Sequence, residues 1–267
     1  MKNFESLMDR VDAELAQAVD MQLAAGGMGA GFFLGDRMTL VDCMFAPFLE
    51  RMAASVPYYK GLVVRGNERW PHVTRWFDAM ETRESFRGIQ SDYYTHAHDL
   101  PPQIGGCRPH PEAEAYRSEI DGEGGSWRLP LREGVEPLRA GARDQDAARR
   151  EAAERVMANA QGLVPFMLRA VGAPGRPVGA GPLSDPHAQP DLRFAKQADA
   201  ALRHTVEALL SPSSAEPVCP ALSPGLPPNT TRAALAYLRD RVSVPRDMSF
   251  AAARQLRAYL NLVSDGL

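Results

Sequence analysis

The stretch Met38-Thr39-Leu40-Val41-Asp42-Cys43-Met44-Phe45-Ala46-Pro47-Phe48-Leu49 decides how the chain is read. Thr39 stands where a helix N-cap is expected, and Asp42 is the third helical residue after it. The Thr39 hydroxyl can accept from the Asp42 backbone N–H while the Asp42 carboxylate reaches back to the N–H of Thr39. This is a capping box with Asp in place of the usual Glu or Gln. Met38 and Cys43 occupy the positions of a hydrophobic staple, so Cys43 is expected to be a buried, inert thiol rather than a nucleophile activated by the helix N-terminus. Val41, Met44, Phe45, Phe48, Leu49 and Met52 then read as a core helix, with Pro47 expected to kink it.

Working outward, Phe4, Leu7, Met8, Val11, Leu15, Val19 and Leu23 recur at spacings of three and four, which predicts an amphipathic helix over residues 2–24. The run Gly26-Gly27-Met28-Gly29-Ala30-Gly31 ends it. Downstream, Pro71 suits the first turn of a helix carrying Val73, Trp76, Phe77 and Met80, and Thr82 to Gln90 predicts a short one. Residues 91–106, rich in Tyr, His and Pro, read as a partly extended tail that closes a first unit, 1–106. The remainder, 107–267, is expected to be a mostly helical extension with Gly/Pro-rich loops. It starts with a turn-rich segment and a short strand or hairpin around Trp127 to Leu131. Helices follow over 143–171, bent or split at Pro165, over 192–210, and in a hairpin of 231–242 and 249–263. Long connections at 172–190 and 211–229 separate them.

Composition sets the outer limits. The 267 residues suit two units, and 45% hydrophobic with 24% charged residues is ordinary for a globular chain with a real core. Thirty Lys and Arg against 33 Asp and Glu give a net charge of -3, which argues against nucleic acid or an anionic membrane as the main partner. No stretch approaches the roughly 20 apolar residues needed to span a bilayer. Cys43, Cys107 and Cys219 are odd in number and far apart, as expected in a reducing compartment. The acidic, amphipathic N-terminus is unlike a secretory or transit signal, so the expectation is cytoplasmic, or plastid if an N-terminal segment precedes Met1.

Candidate chemistry is sparse. His96-Ala97-His98, with Asp92, Asp99, Cys107 and His110 nearby, has metal-ligand residue types. On an extended segment without a second spaced pair it does not complete a tetrahedron, so no metal site is expected. Ser126 lacks the strand-turn-helix setting of a nucleophile elbow, and glycines 26–31 lack the Gly-Lys-Ser/Thr ending of a phosphate loop. Tyr58, Tyr59, Trp70, Trp76, Phe77, Tyr93 and Tyr94 concentrate aromatic area that could line a pocket and reads mainly as core. No residue is assigned a catalytic role.

The run Phe32-Phe33-Leu34-Gly35-Asp36-Arg37-Met38-Thr39-Leu40-Val41-Asp42 resembles the helical C-terminal domain of cytosolic glutathione S-transferases, where a Phe-Leu-Gly turn precedes a Ser/Thr-x-x-Asp capping box. Ala46 to Arg51 is similar to the continuation of that helix, and Pro71-His72-Val73-Thr74-Arg75-Trp76-Phe77 with Met80 to the family's Pro-x-x-x-x-Trp-Phe helix. The resemblance covers about residues 1–105. Ser91 to His96 and Asp240 to Ser249 further resemble an extended subgroup from plants, algae and cyanobacteria.

The resemblance implies an all-α fold, a glutathione S-transferase C-terminal-like bundle followed by a helical extension. It also implies that glutathione, the family co-substrate, is bound and activated by a thioredoxin-like half, while the helical half takes a hydrophobic small molecule. Thr39 and Asp42 carry over as folding residues, and Phe48, Met52, Tyr58 and Tyr59 are the candidate co-substrate pocket. Lys2 to Leu23 resembles the second helix of the family's helical domain, so the thioredoxin-like half and one helix would precede Met1. No glutathione-site residue carries over, and no cofactor is expected on this chain. The implied partners are a thioredoxin-like domain or a second copy of the chain. The rival expectation is a non-catalytic helical interaction module, because the face normally covered by the other half would be apolar.

Overall fold

The computed structural model of the chain describes residues 2–104, 107–132, 134–136, 144–175, 187–211, 221–222 and 224–267. Among these residues the fold is all-α, with no strand beyond the isolated bridges Phe32–Gly35 and Ala173–Gln189. Most of the connections 172–190 and 211–229, Cys219 among them, lies outside the described residues. The helices are α1 Lys2–Ala24, α2 Leu40–Lys60, α3 Pro71–Glu81, α4 Glu84–Ile89, α5 Tyr93–Ile104, α6 Glu114–Ile120, α7 Gln145–Met167, α8 Ala195–Leu210, α9 Pro228–Arg239 and α10 Phe250–Asp265.

Two compact units divide the chain. The first takes Met1–Ala97 and Arg108–Arg117, the second His98–Cys107 and Ser118–Leu267. The chain therefore crosses between them after Ala97, Cys107 and Arg117, and the boundary expected at 106 lies outside the described residues.

In the first unit the core forms around Trp70, Trp76, Phe77, Leu15 and Leu49, all essentially inaccessible to solvent. The helix α1 presents Met8, Leu15 and Val19 to it, as the three-and-four spacing predicts, whereas Leu7 and Leu23 of the expected stripe are exposed. The helix α2 continues through both Pro47 and Pro57 and ends at Gly61, whose φ of 72° lets its N–H return to the Pro57 carbonyl at 3.0 Å. Where an extended tail is expected, Tyr93–Ile104 is helical. Asp92, fully buried, accepts from the Thr95 N–H at 3.3 Å and supplies the start signal that the later prolines Pro101 and Pro102 obscure.

In the second unit α7, α8, α9 and α10 enclose a core of Ala152, Ala153, Val156, Leu202, Leu209, Leu235, Leu256 and Leu260. Alanines on α7 let its neighbours approach closely. The proline of its last turn, Pro165, does not split the helix, which passes at Met167 into a 3-10 turn, Leu168–Val171. Ser249 caps α10, accepting from the Ala252 N–H at 3.2 Å.

The expected hairpin around Trp127 is absent, because those residues form turns and bends. The Trp127 ring is held instead by two guanidiniums, those of Arg257 at 4.8 Å and Arg239 at 5.8 Å. Its carbonyl accepts from Asn261 Nδ2 at 2.8 Å. Arg257, almost fully buried, also donates to the Val242 carbonyl at 2.8 Å.

Candidate functional site

The N-terminus of α2 is organised by one carboxylate. Asp42 has no exposed surface, and its Oδ2 accepts the Thr39 N–H at 2.8 Å and the Thr39 hydroxyl at 2.9 Å. The reach back to the N-cap that the spacing predicts is therefore present. Its other oxygen, Oδ1, accepts the Phe33 N–H at 3.0 Å and the indole N–H of Trp76 at 3.0 Å. One residue thus fixes the start of α2, the turn before it and a large ring of α3.

Two further aspartates work in the same way. Asp12 of α1 accepts the His72 and Val73 N–H groups at 2.8 and 2.9 Å, satisfying orphan donors in the first turn of α3. Asp36 accepts the Met28 and Ala30 N–H groups at 2.9 and 2.8 Å and orders the glycine run. The Ala30 and Met28 bonds hold the Asp36 carboxyl below the usual aspartate value, and those from Arg69 and then Trp70 do the same for Asp9.

The other side of the α2 start is open and apolar. Leu40 is 75% exposed, Met44 64% and Phe48 63%, with Val41 half-exposed and Cys43 and Pro47 also exposed. At about 100° per residue these six fall on a single arc, opposite the buried Asp42, Ala46, Leu49 and Ala53. This corrects two expectations. Val41, Met44 and Phe48 do not enter the core, and Cys43 is an exposed thiol rather than a buried one. Apolar residues occupy both sides of the segment, so periodicity alone cannot choose the inward side. Packing chooses Asp42 with the small Ala46, Ala53 and Ala54.

The four candidate pocket residues occupy different environments. Phe48 lies on the exposed arc, and Met52, one turn on, is half-buried. Tyr58 and Tyr59 are buried with their rings 4.8 Å apart, and the Tyr59 hydroxyl donates to the Ala97 carbonyl at 2.8 Å. The histidines of the His-x-His run sit two residues apart on α5. Nε2 of His96 lies 3.4 Å from Glu50, and Nε2 of His98 lies 2.8 Å from Asp121. Among the described residues no three His, Cys, Asp or Glu side chains are grouped as a metal would require. Ser126 donates its hydroxyl to the Glu119 carbonyl. No described helix is long and apolar enough to cross a membrane.

The resemblance implies Thr39 and Asp42 as folding residues, and the Asp42 carboxylate does accept from the Thr39 N–H; its bond to the Trp76 indole is an addition to that expectation. Residues 1–79 match the family model of the glutathione S-transferase C-terminal domain. The matched span contains α1, α2, the Asp12 and Asp42 hydrogen bonds and most of α3. No curated protein and no solved structure matches the chain. Within the matched span, sequence reasoning missed the Asp42–Trp76 and Asp12–α3 bonds. The signal available for the second was an Asp on the apolar stripe of α1, midway between Met8 and Leu15.

Proposed function

We propose that the first unit is the co-substrate side of a glutathione transferase-type assembly, in which the exposed α2 arc seats a thioredoxin-like, glutathione-binding half. That half, on the same polypeptide or another, would supply the activated thiolate. The observation that carries this reading is the run of exposed apolar side chains at Leu40, Val41, Met44 and Phe48 inside the segment matching the family model. A contiguous apolar patch next to a rigidly capped turn is what a docking face requires. Phe48 and Met52 would then border the site of the hydrophobic co-substrate, with Tyr58 and Tyr59 as buried support. The non-catalytic docking module remains the second reading, since the same arc serves it equally.

A fusion of a thioredoxin-like glutathione-binding half to the chain's N-terminus separates the two. The transferase reading expects conjugation of glutathione to a chlorodinitrobenzene by the fusion, above that of the half alone. It also expects the gain to vanish in a Met44→Glu, Phe48→Glu variant. Association without any gain in turnover would favour the docking module, and turnover by the unfused chain would overturn both.

A further inference from the structure

The second unit contains a cleft of about 960 Å³ beside α7. That size is typical of small-molecule sites, which run from about 300 to 1,000 Å³. Part of its lining is apolar, where Val156, Val242, Met248 and Leu256 border it from the edge of the core. Its polar lining is cationic in balance, with Arg155, Arg241 and Arg246 against the single carboxylate of Asp247. This concentration of positive charge occurs on a chain whose net charge is -3.

The three arginines differ in what they already hold. Arg246 grips Asp247 with both arms, Nε to Oδ1 at 2.8 Å and Nη2 to Oδ2 at 2.9 Å, and so takes up the one carboxylate. Arg155 and Arg241 form no ion pair with any described residue. Arg241 is positioned nonetheless. Its guanidinium carbon lies 3.5 Å from the ring centroid of Tyr237, and that ring packs edge-on against Phe166 of the cleft wall at 5.3 Å. Nη1 reaches the Tyr237 carbonyl at 3.3 Å, while Nε is buried and meets no acceptor. A buried charged donor without an acceptor is costly, and an anion beside the guanidinium offsets part of that cost through charge.

We propose that this cleft binds an amphipathic carboxylate, with its apolar body against Val156, Val242, Met248 and Leu256 and its head on Arg241, on a rim shared with Arg155. A guanidinium held over an aromatic face is pre-organised for a carboxylate, so little rotamer entropy is lost on binding. Gly162 gives independent access to the same space. It lines the cleft from α7, and a Cβ placed on it meets no atom within 4 Å.

The test is calorimetric titration of the full chain with decanoate, decan-1-ol and acetate. Saturable decanoate binding is expected, about tenfold tighter than decan-1-ol, with acetate too weak to measure. Arg241→Gln should weaken decanoate about tenfold and leave decan-1-ol unchanged. Gly162→Leu should abolish decanoate binding while holding or raising the thermal midpoint, because a side chain replaces a glycine inside a helix. Met44→Glu with Phe48→Glu should not change it, which separates the cleft from the α2 arc. Equal affinity for decanoate and decan-1-ol, an absence of decanoate binding, or undiminished binding by folded Gly162→Leu would each overturn the proposal. Should Arg241→Gln fail to fold, Gly162→Leu decides alone.

Discussion

The indole N–H of Trp76 donates to Oδ1 of Asp42 at 3.0 Å, and neither residue exposes any surface. The pair joins the first turn of α2 to the middle of α3, so a residue that caps one helix also holds another against it. Removing the carboxylate leaves the buried Trp76 indole N–H and the part-buried N–H groups of Phe33 and Thr39 without their acceptor.

Asp42→Ala is therefore expected to destabilise the first unit by about 3 kcal/mol, well above the roughly 1 kcal/mol of an exposed cap. Trp76→Phe removes only one of these bonds and should cost less. Urea midpoints at unchanged m-value measure both. A change below ~0.5 kcal/mol for Asp42→Ala would contradict the role given to this carboxylate.

Gly61 ends α2 at a φ of 72°, and a Cβ there would lie 2.6 Å from the Glu112 carbonyl oxygen, a backbone atom that cannot swing away. Gly61→Ala should lower stability by at least ~1 kcal/mol from the left-handed conformation alone. Gly66 also has a positive φ, of 82°, but a Cβ there has open space, so Gly66→Ala should cost less. Thermal or urea midpoints of the two variants, compared side by side, check the difference.

Asp36 and Asp9 carry a pH signature. Both titrate below the ordinary aspartate value of 3.8 in the folded chain. A lowered folded-state value means that the unfolded chain binds protons first as pH falls. Their contribution is therefore fully present above the unfolded value and is lost as pH drops through the lower folded value. Stability should be insensitive to these groups between pH 5 and 8 and decline below about pH 4. Asp36→Asn should show a shallower decline, read from urea midpoints between about pH 2.5 and 6; an identical slope would contradict the Met28 and Ala30 bonds as its cause.

What the sequence made legible follows from how local each signal is. The centre of the α1 stripe at Met8, Leu15 and Val19, the reach of Asp42 to Thr39, Pro71 at the start of α3 and the Ser249 cap of α10 are each written within a few residues and found in place, while Leu7 and Leu23 of that stripe are exposed. The inward side of α2 was not legible, because apolar residues on both of its sides leave the choice to what packs against it. The same holds for α5, whose Asp92 start was outweighed by the prolines near its end, and for Trp127, whose arginine partners lie more than a hundred residues away. The candidate site divides along this line. Thr39 and Asp42 could be read from spacing, but the exposure of Phe48 and the burial of Tyr58 and Tyr59 depend on tertiary packing.

Cys43 offers the most direct measurement, because its thiol is exposed on the same arc as Leu40, Met44 and Phe48. Its alkylation by iodoacetamide, followed peptide by peptide by mass spectrometry, should be rapid in the chain alone. In the fusion with a thioredoxin-like half it should slow by about tenfold or more, and the Met44→Glu, Phe48→Glu pair should restore the fast rate. Equal Cys43 alkylation rates in the chain and the fusion would contradict the central claim that the α2 arc is the docking face.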